Sequence, residues 1–172
     1  ATGGTLNVNE TVTSGGAGTI TLTATGATSD VVVATGKSVT STGGNIAINA
    51  PQDITLTGTG TVITSGTGTI TLTADSDNAT SGAINAANST TAIQAGTGLV
   101  TLLARSGIAA GTTIDNVTAT NSASGNITIS DTAGGLTVST GGVNQTGTGT
   151  VGVTATGGTL NVNETVTSGG AG

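Results

Sequence analysis

The segment Gly18-Thr-Ile-Thr-Leu22 carries the pattern on which the fold prediction depends: a glycine, a spacer, and two aliphatic residues separated by one residue. The pattern recurs as Gly44-Asn-Ile-Ala-Ile48, Gly68-Thr-Ile-Thr-Leu72, Gly98-Leu-Val-Thr-Leu102, Gly125-Asn-Ile-Thr-Ile129 and Gly149-Thr-Val-Gly-Val153. Gly172 continues the series of marker glycines at a similar interval. A string that returns at a nearly constant spacing indicates a coil of repeated turns, with the glycines at its corners.

A second, longer repeat encloses the first. Residues 1–18, ATGGTLNVNETVTSGGAG, recur letter for letter at residues 155–172. Such an identity indicates a tandem array of long units. We therefore assign residues 1–154 to one unit and residues 155–172 to the start of the next identical unit, with no separate domains. We expect the parent chain to continue after Gly172 with Thr-Ile-Thr-Leu-Thr.

Two further strand-like pieces follow each marker string in a constant order. After the first string they are Asp30-Val-Val-Val33 and a piece centred on Val39, with Gly, Ser, Asn and Asp at the corners. Three short strands per turn predict an all-β fold: a parallel β-helix, or β-solenoid, with about 26 residues per turn and six turns per unit. We expect a right-handed coil, because crossovers between parallel strands nearly always have that hand. A β-sandwich adhesin repeat is the rival architecture, although its core usually contains Trp or Tyr.

Composition narrows the range of functions. The 172 residues include 42 Thr and 31 Gly, no His, Cys, Met or aromatic residue, and a net charge of −6. The usual zinc, copper and haem ligand sets and the common nucleophile–base pairs therefore cannot be built. Nucleic acid is not an expected partner, because the chain has no ring to stack on bases and only Lys37 and Arg105 as cations. No apolar run approaches the roughly 18–20 residues of a transmembrane helix. We expect any signal peptide to have been removed or to lie outside residues 1–172.

The marker strings, with GGTLNVNETVTSG between them, resemble the β-strand repeats of large secreted bacterial proteins. The families are the filamentous-haemagglutinin-like adhesins and the passenger domains of autotransporters. This resemblance implies a right-handed parallel β-helix that forms extracellular fibres or adhesins. The chain differs from these families in having no aromatic residue and a single Lys, Lys37, and in its long exact repeat.

Acidic residues supply the candidate chemical sites. Asp75, Asp77 and Asn78 lie in the longest corner, where oxygen ligands two residues apart suit calcium. A solvated turn is the simpler interpretation, because the cluster lacks the downstream glycine and Glu of a hand-type calcium loop. The same aspartates, or Asp30 with Asp53, have the residue types of a glycosidase acid pair. Sugar-processing sites also need aromatic platforms and cationic clamps, so we predict that the chain is not an enzyme. No cofactor other than calcium is suggested.

Asparagine and threonine patterns give two weaker candidates. Asn-x-Ser/Thr sequons at Asn78 and Asn88 lie in corners and are candidate glycosylation sites. Rows of Thr-x-Thr on a flat sheet would suit ice binding. The predicted middle column is interrupted, however, because it reads Thr21, Ala47, Thr71, Thr101, Thr128 and Gly152.

These features predict a structural role. We expect an extracellular or cell-surface fibre, sheath or adhesin shaft built from tandem β-solenoid units. Its partners would be identical units joined end to end, with lateral association into fibres. An ice-binding protein and a β-helical carbohydrate-active enzyme are the alternatives.

Overall fold

The computed structural model describes residues 1–64, 66–79, 81–132 and 134–170. Within these ranges the chain has no helix, and its nineteen strands form two sheets of eleven and eight strands in which every pairing is parallel. The prediction of an all-β, parallel β-helix-like fold is therefore confirmed.

The first twelve strands form four turns of three strands each. In chain order they are Leu6–Val8 (β1), Val12–Ser14 (β2), Ile20–Thr23 (β3), Val31–Val33 (β4), Ser38–Ser41 (β5), Ile46–Ala50 (β6), Ile54–Leu56 (β7), Thr61–Thr64 (β8), Ile70–Ala74 (β9), Ile84–Ala86 (β10), Ile93–Ala95 (β11) and Leu99–Ala104 (β12). Within these turns each strand pairs with the strand three places later in the chain, which gives three rows of strands that begin at β1, β2 and β3. The third row stacks Ile20, Ile46, Ile70 and Val100, one from each of the four turns.

The core lies inside the coil and follows the alternation of the sequence. In β6, Ile46, Ile48 and Ala50 are buried, whereas Ala47 and Asn49 face outward and are partly exposed. Val and Ile suit these strands because their branched side chains pack well on a pleated surface. Each inward residue lies against its counterpart one strand spacing away, so the aliphatic side chains form continuous columns along the axis.

The marker glycines lie where the backbone of one corner approaches the corner of the preceding turn. A Cβ atom on Gly44 would overlap the carbonyl of Gly18, one on Gly68 the carbonyl of Gly44, and one on Gly98 the carbonyl of Gly68. Gly149 has the same relation to Gly125, and Gly125 to Ser106. Gly172 lies outside the described residues.

The coil changes its cross-section after β12. The remaining strands are Ile108–Thr113 (β13), Asn116–Asn121 (β14), Ile127–Asp131 (β15), Gly135–Gln145 (β16), Val151–Ala155 (β17), Thr159–Val162 (β18) and Val166–Ser168 (β19). Strand β13 pairs with both β10 and β11, so one continuous strand replaces two strands and the corner between them. The turn shortens as a result, and Val117 stacks on Val100 after a shorter interval than any between earlier members of that row.

The predicted length of about 26 residues per turn therefore does not hold beyond Val100. Ile127 was expected to stack on Val100, but it pairs with Ile108 in the other sheet. Without the corner between the first and second rows, fewer residues complete a turn. The inward positions at this point are small, because Ala110 and Gly111 are both buried within β13.

A new corner then opens in the opposite sheet. The register between β14 and β16 shifts at a bulge, so that Val117 pairs with Val138 but Ala119 pairs with Val143. The first part of β16 then pairs with β18, and the part after the bulge pairs with β19. The coil is three-sided again, but the sheet that first carried one row now carries two.

The two copies of the repeated segment, residues 1–18 and 155–172, consequently place their strands in different sheets. Strands β1 and β2 belong to the eleven-stranded sheet, whereas their copies β18 and β19 belong to the eight-stranded sheet. Strand β1 is connected to β17 by six successive pairings, and each pairing corresponds to one turn. The chain then crosses to β18 in the opposite sheet, which adds half a turn. The interval from β1 to its copy β18 is therefore six and a half turns, whereas six were predicted. The extra half turn lies between Gly98 and Gly125, an interval that the marker glycines predict to be one turn.

The marker glycines give a test of this stacking. We expect Gly98→Ala to lower the free energy of unfolding by about 1–3 kcal/mol, because the added methyl overlaps backbone that cannot move independently. The control is Gly152→Ala, since the nearest atom to a Cβ there is the Ile127 carbonyl oxygen at 4.0 Å. Guanidinium unfolding midpoints compare the two, and equal midpoints would contradict the close approach.

Candidate functional site: the corner at Asp75 and Arg105

The predicted calcium corner follows β9 directly. Asp75 is buried and Asn78 is exposed, and both have left-handed backbone conformations with φ of 60° and 55°. Asp and Asn tolerate this conformation better than most residues because their short polar side chains can bond locally. The sequence therefore places suitable residues at the two positions of this corner that have a positive φ.

Local hydrogen bonds use the oxygens that were proposed as calcium ligands. The Ala79 N–H donates to Asp75 Oδ1 at 3.1 Å and also to Asp77 Oδ1 at 3.3 Å. The Asn78 N–H donates to the Asp75 carbonyl at 3.0 Å. Both carboxylates thus help to satisfy the backbone of a turn, which is a common role for Asp at corners.

The chain's own cation completes the corner. Arg105 follows β12 in the next turn, and its Nη1 donates to Asn78 Oδ1 at 3.2 Å and lies 3.9 Å from Asp75 Oδ2. Its Nε is buried and has no hydrogen-bond partner in the part of the chain that the structure describes. The guanidinium therefore lies beside two of the three residues proposed to bind calcium.

Calcium at this corner stays a prediction. Across residues 1–64, 66–79, 81–132 and 134–170, no group of three or more Asp, Glu, His or Cys side chains converges on one point. A calcium ion bound by Asp75 and Asn78 would have to compete with the positive charge of Arg105.

The candidate acid pair also has structural partners. Asp30 Oδ1 accepts the Asp53 N–H at 3.0 Å, and Asp53 Oδ1 accepts the Ala83 N–H at 2.8 Å. Each carboxylate therefore bonds to the backbone of the following turn. This ladder connects the corner before β4 to the corners before β7 and β10.

Both candidate glycosylation residues are exposed in corners. Asn78 follows β9, and Asn88 lies between β10 and β11. The Asn88 Nδ2 atom donates to the Leu56 carbonyl at 3.3 Å. The same nitrogen would carry the sugar, so glycosylation would have to preserve or replace this hydrogen bond. Modification at either residue stays a prediction.

A group of buried polar side chains in the later turns was not predicted from the sequence. Asp131 is fully buried, and its Oδ1 accepts hydrogen bonds from Thr112 Oγ1 and the Ile114 N–H, each at 3.0 Å. Gln145 Nε2 donates to the carbonyls of Gly125 and Thr148, each at 2.7 Å. The available signal was the alternation Ile127, Ile129, Asp131, which places the aspartate on the inward side of β15.

Two further features to consider are ligand pockets and membrane-spanning helices. No pocket is found among the residues that the structure describes. Those residues also contain no helix with the length and apolarity needed to span a membrane.

We predict that Asp75 matters more for stability than Asp77. Asp75→Ala should lower the free energy of unfolding by about 1–3 kcal/mol, because a buried acceptor is lost and alanine disfavours a positive φ. Asp77→Ala, the matched control, should stay within about 0.5 kcal/mol, because this side chain is exposed. Chemical unfolding measures both changes. If calcium raised the midpoint of the parent chain but not that of Asp75→Ala, the calcium prediction would be supported.

Comparison with known proteins adds no relative. No protein-family model, no curated protein and no solved structure matches the chain.

Proposed function

We propose that the chain forms part of the structural shaft of an extracellular or cell-surface fibre, sheath or long adhesin. The shaft is a right-handed β-solenoid built from tandem units. One observation carries the proposal: residues that begin a second unit add to the coil as new strands. Thr159 pairs with Gly135, and Val166 pairs with Val143. The rows of strands that pass through the two parts of β16 therefore continue into the second copy without interruption.

The mechanism of such a shaft is mechanical. Backbone hydrogen bonds in parallel sheets run between successive turns, so axial load is shared among all the rows of strands. Buried columns such as Ile54, Ile84 and Ile108 hold the turns together from inside. Length then increases with the number of units, and no new type of contact is required.

The charged residues support a structural role over a catalytic one. Lys37 Nζ donates to Glu10 Oε2 at 2.9 Å, and Arg105 contacts Asn78. Both cations of the chain thus have partners in neighbouring turns. We infer that the chain is not an enzyme and does not bind nucleic acid, and that its weakly charged Thr-rich faces permit lateral association.

Ice binding is the second candidate, and one outward column favours it. In the eight-stranded sheet this column contains Thr21, Ala47, Thr71, Thr101 and Thr118. The next outward column is less regular, because Leu103 follows Thr73. An ice-recrystallisation assay on the folded chain decides between the candidates, since a shaft protein should leave ice growth unchanged.

The shaft proposal predicts how length depends on unit number. Each additional unit should lengthen the particle by about 31 Å, which is six and a half strand spacings of about 4.8 Å. Electron microscopy of chains with two, four and six units measures this increment. Particles that widen or become globular as units are added would contradict the proposal.

A further inference from the structure

We propose that successive units stack end to end with a half-turn rotation about the coil axis. Each unit covers the apolar edge of the one before it. This inference rests on the proposed function, because it specifies the partner surface of the shaft. The occupant of the exposed edge is the following copy of residues 19–154.

The first observation is that identical residues have different environments at the two ends. Val8 is 5% exposed, whereas its copy Val162 is 54% exposed. Val12 is partly buried and packs against the core, whereas its copy Val166 is 43% exposed. The local sequence is the same, so the difference comes from the neighbouring strands.

The missing neighbours can be identified. Val8 is covered by Val33 of β4, and Val12 by Val39 of β5. In the described residues β1 and β2 pair only with the turn that follows them, through β4 and β5, whereas β18 and β19 pair only with the turn that precedes them, through β16. The side that β4 and β5 cover in the first unit is therefore open at β18 and β19. The segments that would follow them in the next unit are further copies of β4 and β5, with the same sequence and the same intervals. These copies fit the exposed edge in a register that the first unit already displays.

The third row of the second unit would start from the eleven-stranded sheet. Strand β17, which follows the marker Gly149, pairs with β15 and forms the last strand of the eleven-stranded sheet. The second unit's β3 would add to it, with Ile20 of that unit beside Val151. All three rows of the coil therefore pass through the junction.

A salt bridge reinforces the register of the junction. Glu10 and Lys37 are joined at 2.9 Å across one turn, and Glu164 is the copy of Glu10. The second unit's Lys37 would therefore reach Glu164. Such an exposed pair adds little stability, but it disfavours a slipped register.

The half-turn follows from the exchange of sheets. The first two rows begin in the eleven-stranded sheet, and their copies begin in the eight-stranded sheet on the other side of the coil. A second unit therefore starts on the opposite side and ends on the original one. Two units form one complete structural repeat of about 62 Å, or thirteen strand spacings of about 4.8 Å. Surface groups such as Asn88 alternate between opposite sides of the shaft.

The first experiment tests whether the edge is covered. Val162→Ala is made in the 172-residue chain and in a two-unit chain, in which residues 1–154 are joined directly to residues 1–172. We expect almost no change in unfolding midpoint in the single chain, because Val162 is exposed there. In the two-unit chain the loss should be at least as large as that caused by Val8→Ala in the single chain. A neutral effect in both chains would overturn the stacking.

The second experiment tests the rotation. Asn88→Cys is introduced into both units of the two-unit chain, which has no other cysteine. Each thiol is coupled to biotin and bound to streptavidin, and the particles are imaged by electron microscopy. Marks on opposite sides of the rod, about 31 Å apart along its axis, are expected. Marks on the same side would overturn the half-turn.

These outcomes are separable from the proposed function. Stacked units with alternating marks would support the inference even if the native protein proved not to form an extracellular fibre. Conversely, if the native protein formed a fibre but the two-unit chain had both marks on one side, the shaft proposal would stand and the half-turn would be overturned.

Discussion

The structure depends on one constraint: each turn of backbone lies one strand spacing, about 4.8 Å, from the next. Inside the coil, this spacing obliges every layer to contain its own side chains, and Ile20, Ile46 and Ile70 meet it by stacking in one column. At the corners, the same spacing brings backbone against backbone, so that Gly98 lies against Gly68 without room for a Cβ atom. Aliphatic columns and corner glycines are thus two consequences of the same hydrogen-bond ladder.

Much of this arrangement could be predicted from sequence because it is local. The alternation in Gly44-Asn-Ile-Ala-Ile48 indicates which side chains face inward, whichever strand lies beside it. The choice of neighbour is not local. The interval from Gly98 to Gly125 fits one three-strand turn as well as one and a half shorter turns. Periodicity could not separate these arrangements, and the pairing of Val100 with Val117 was therefore missed.

The candidate site likewise has local features that could be predicted from sequence and contacts between turns that could not. Asp75, Asp77 and Asn78 could be placed in a corner because Asp and Asn favour turns. The contact of Asp75 and Asn78 with Arg105 could not be anticipated, because it depends on which corner of the next turn lies alongside. Asp131 could not be assigned to the interior for another reason: a charged residue type is rarely fully buried unless it has partners. Its partners Thr112 and Ile114 come from the preceding turn, and their hydrogen bonds satisfy it inside the coil.

The exchange of sheets arises at two places where the sequence changes character. In β13 the corner between two rows disappears, and the small residues Ala110 and Gly111 lie inside the shortened turn. In β16 a corner forms instead, and the positive φ angles of Gly141 and Gly142, 109° and 70°, occur where the strand bulges outward. One closure and one opening on opposite sides move the three-row pattern by half a turn. The repeated segment fits either sheet because both offer parallel strands with aliphatic columns, so these two sites, and not the repeated sequence, determine the side of the coil on which its second copy lies.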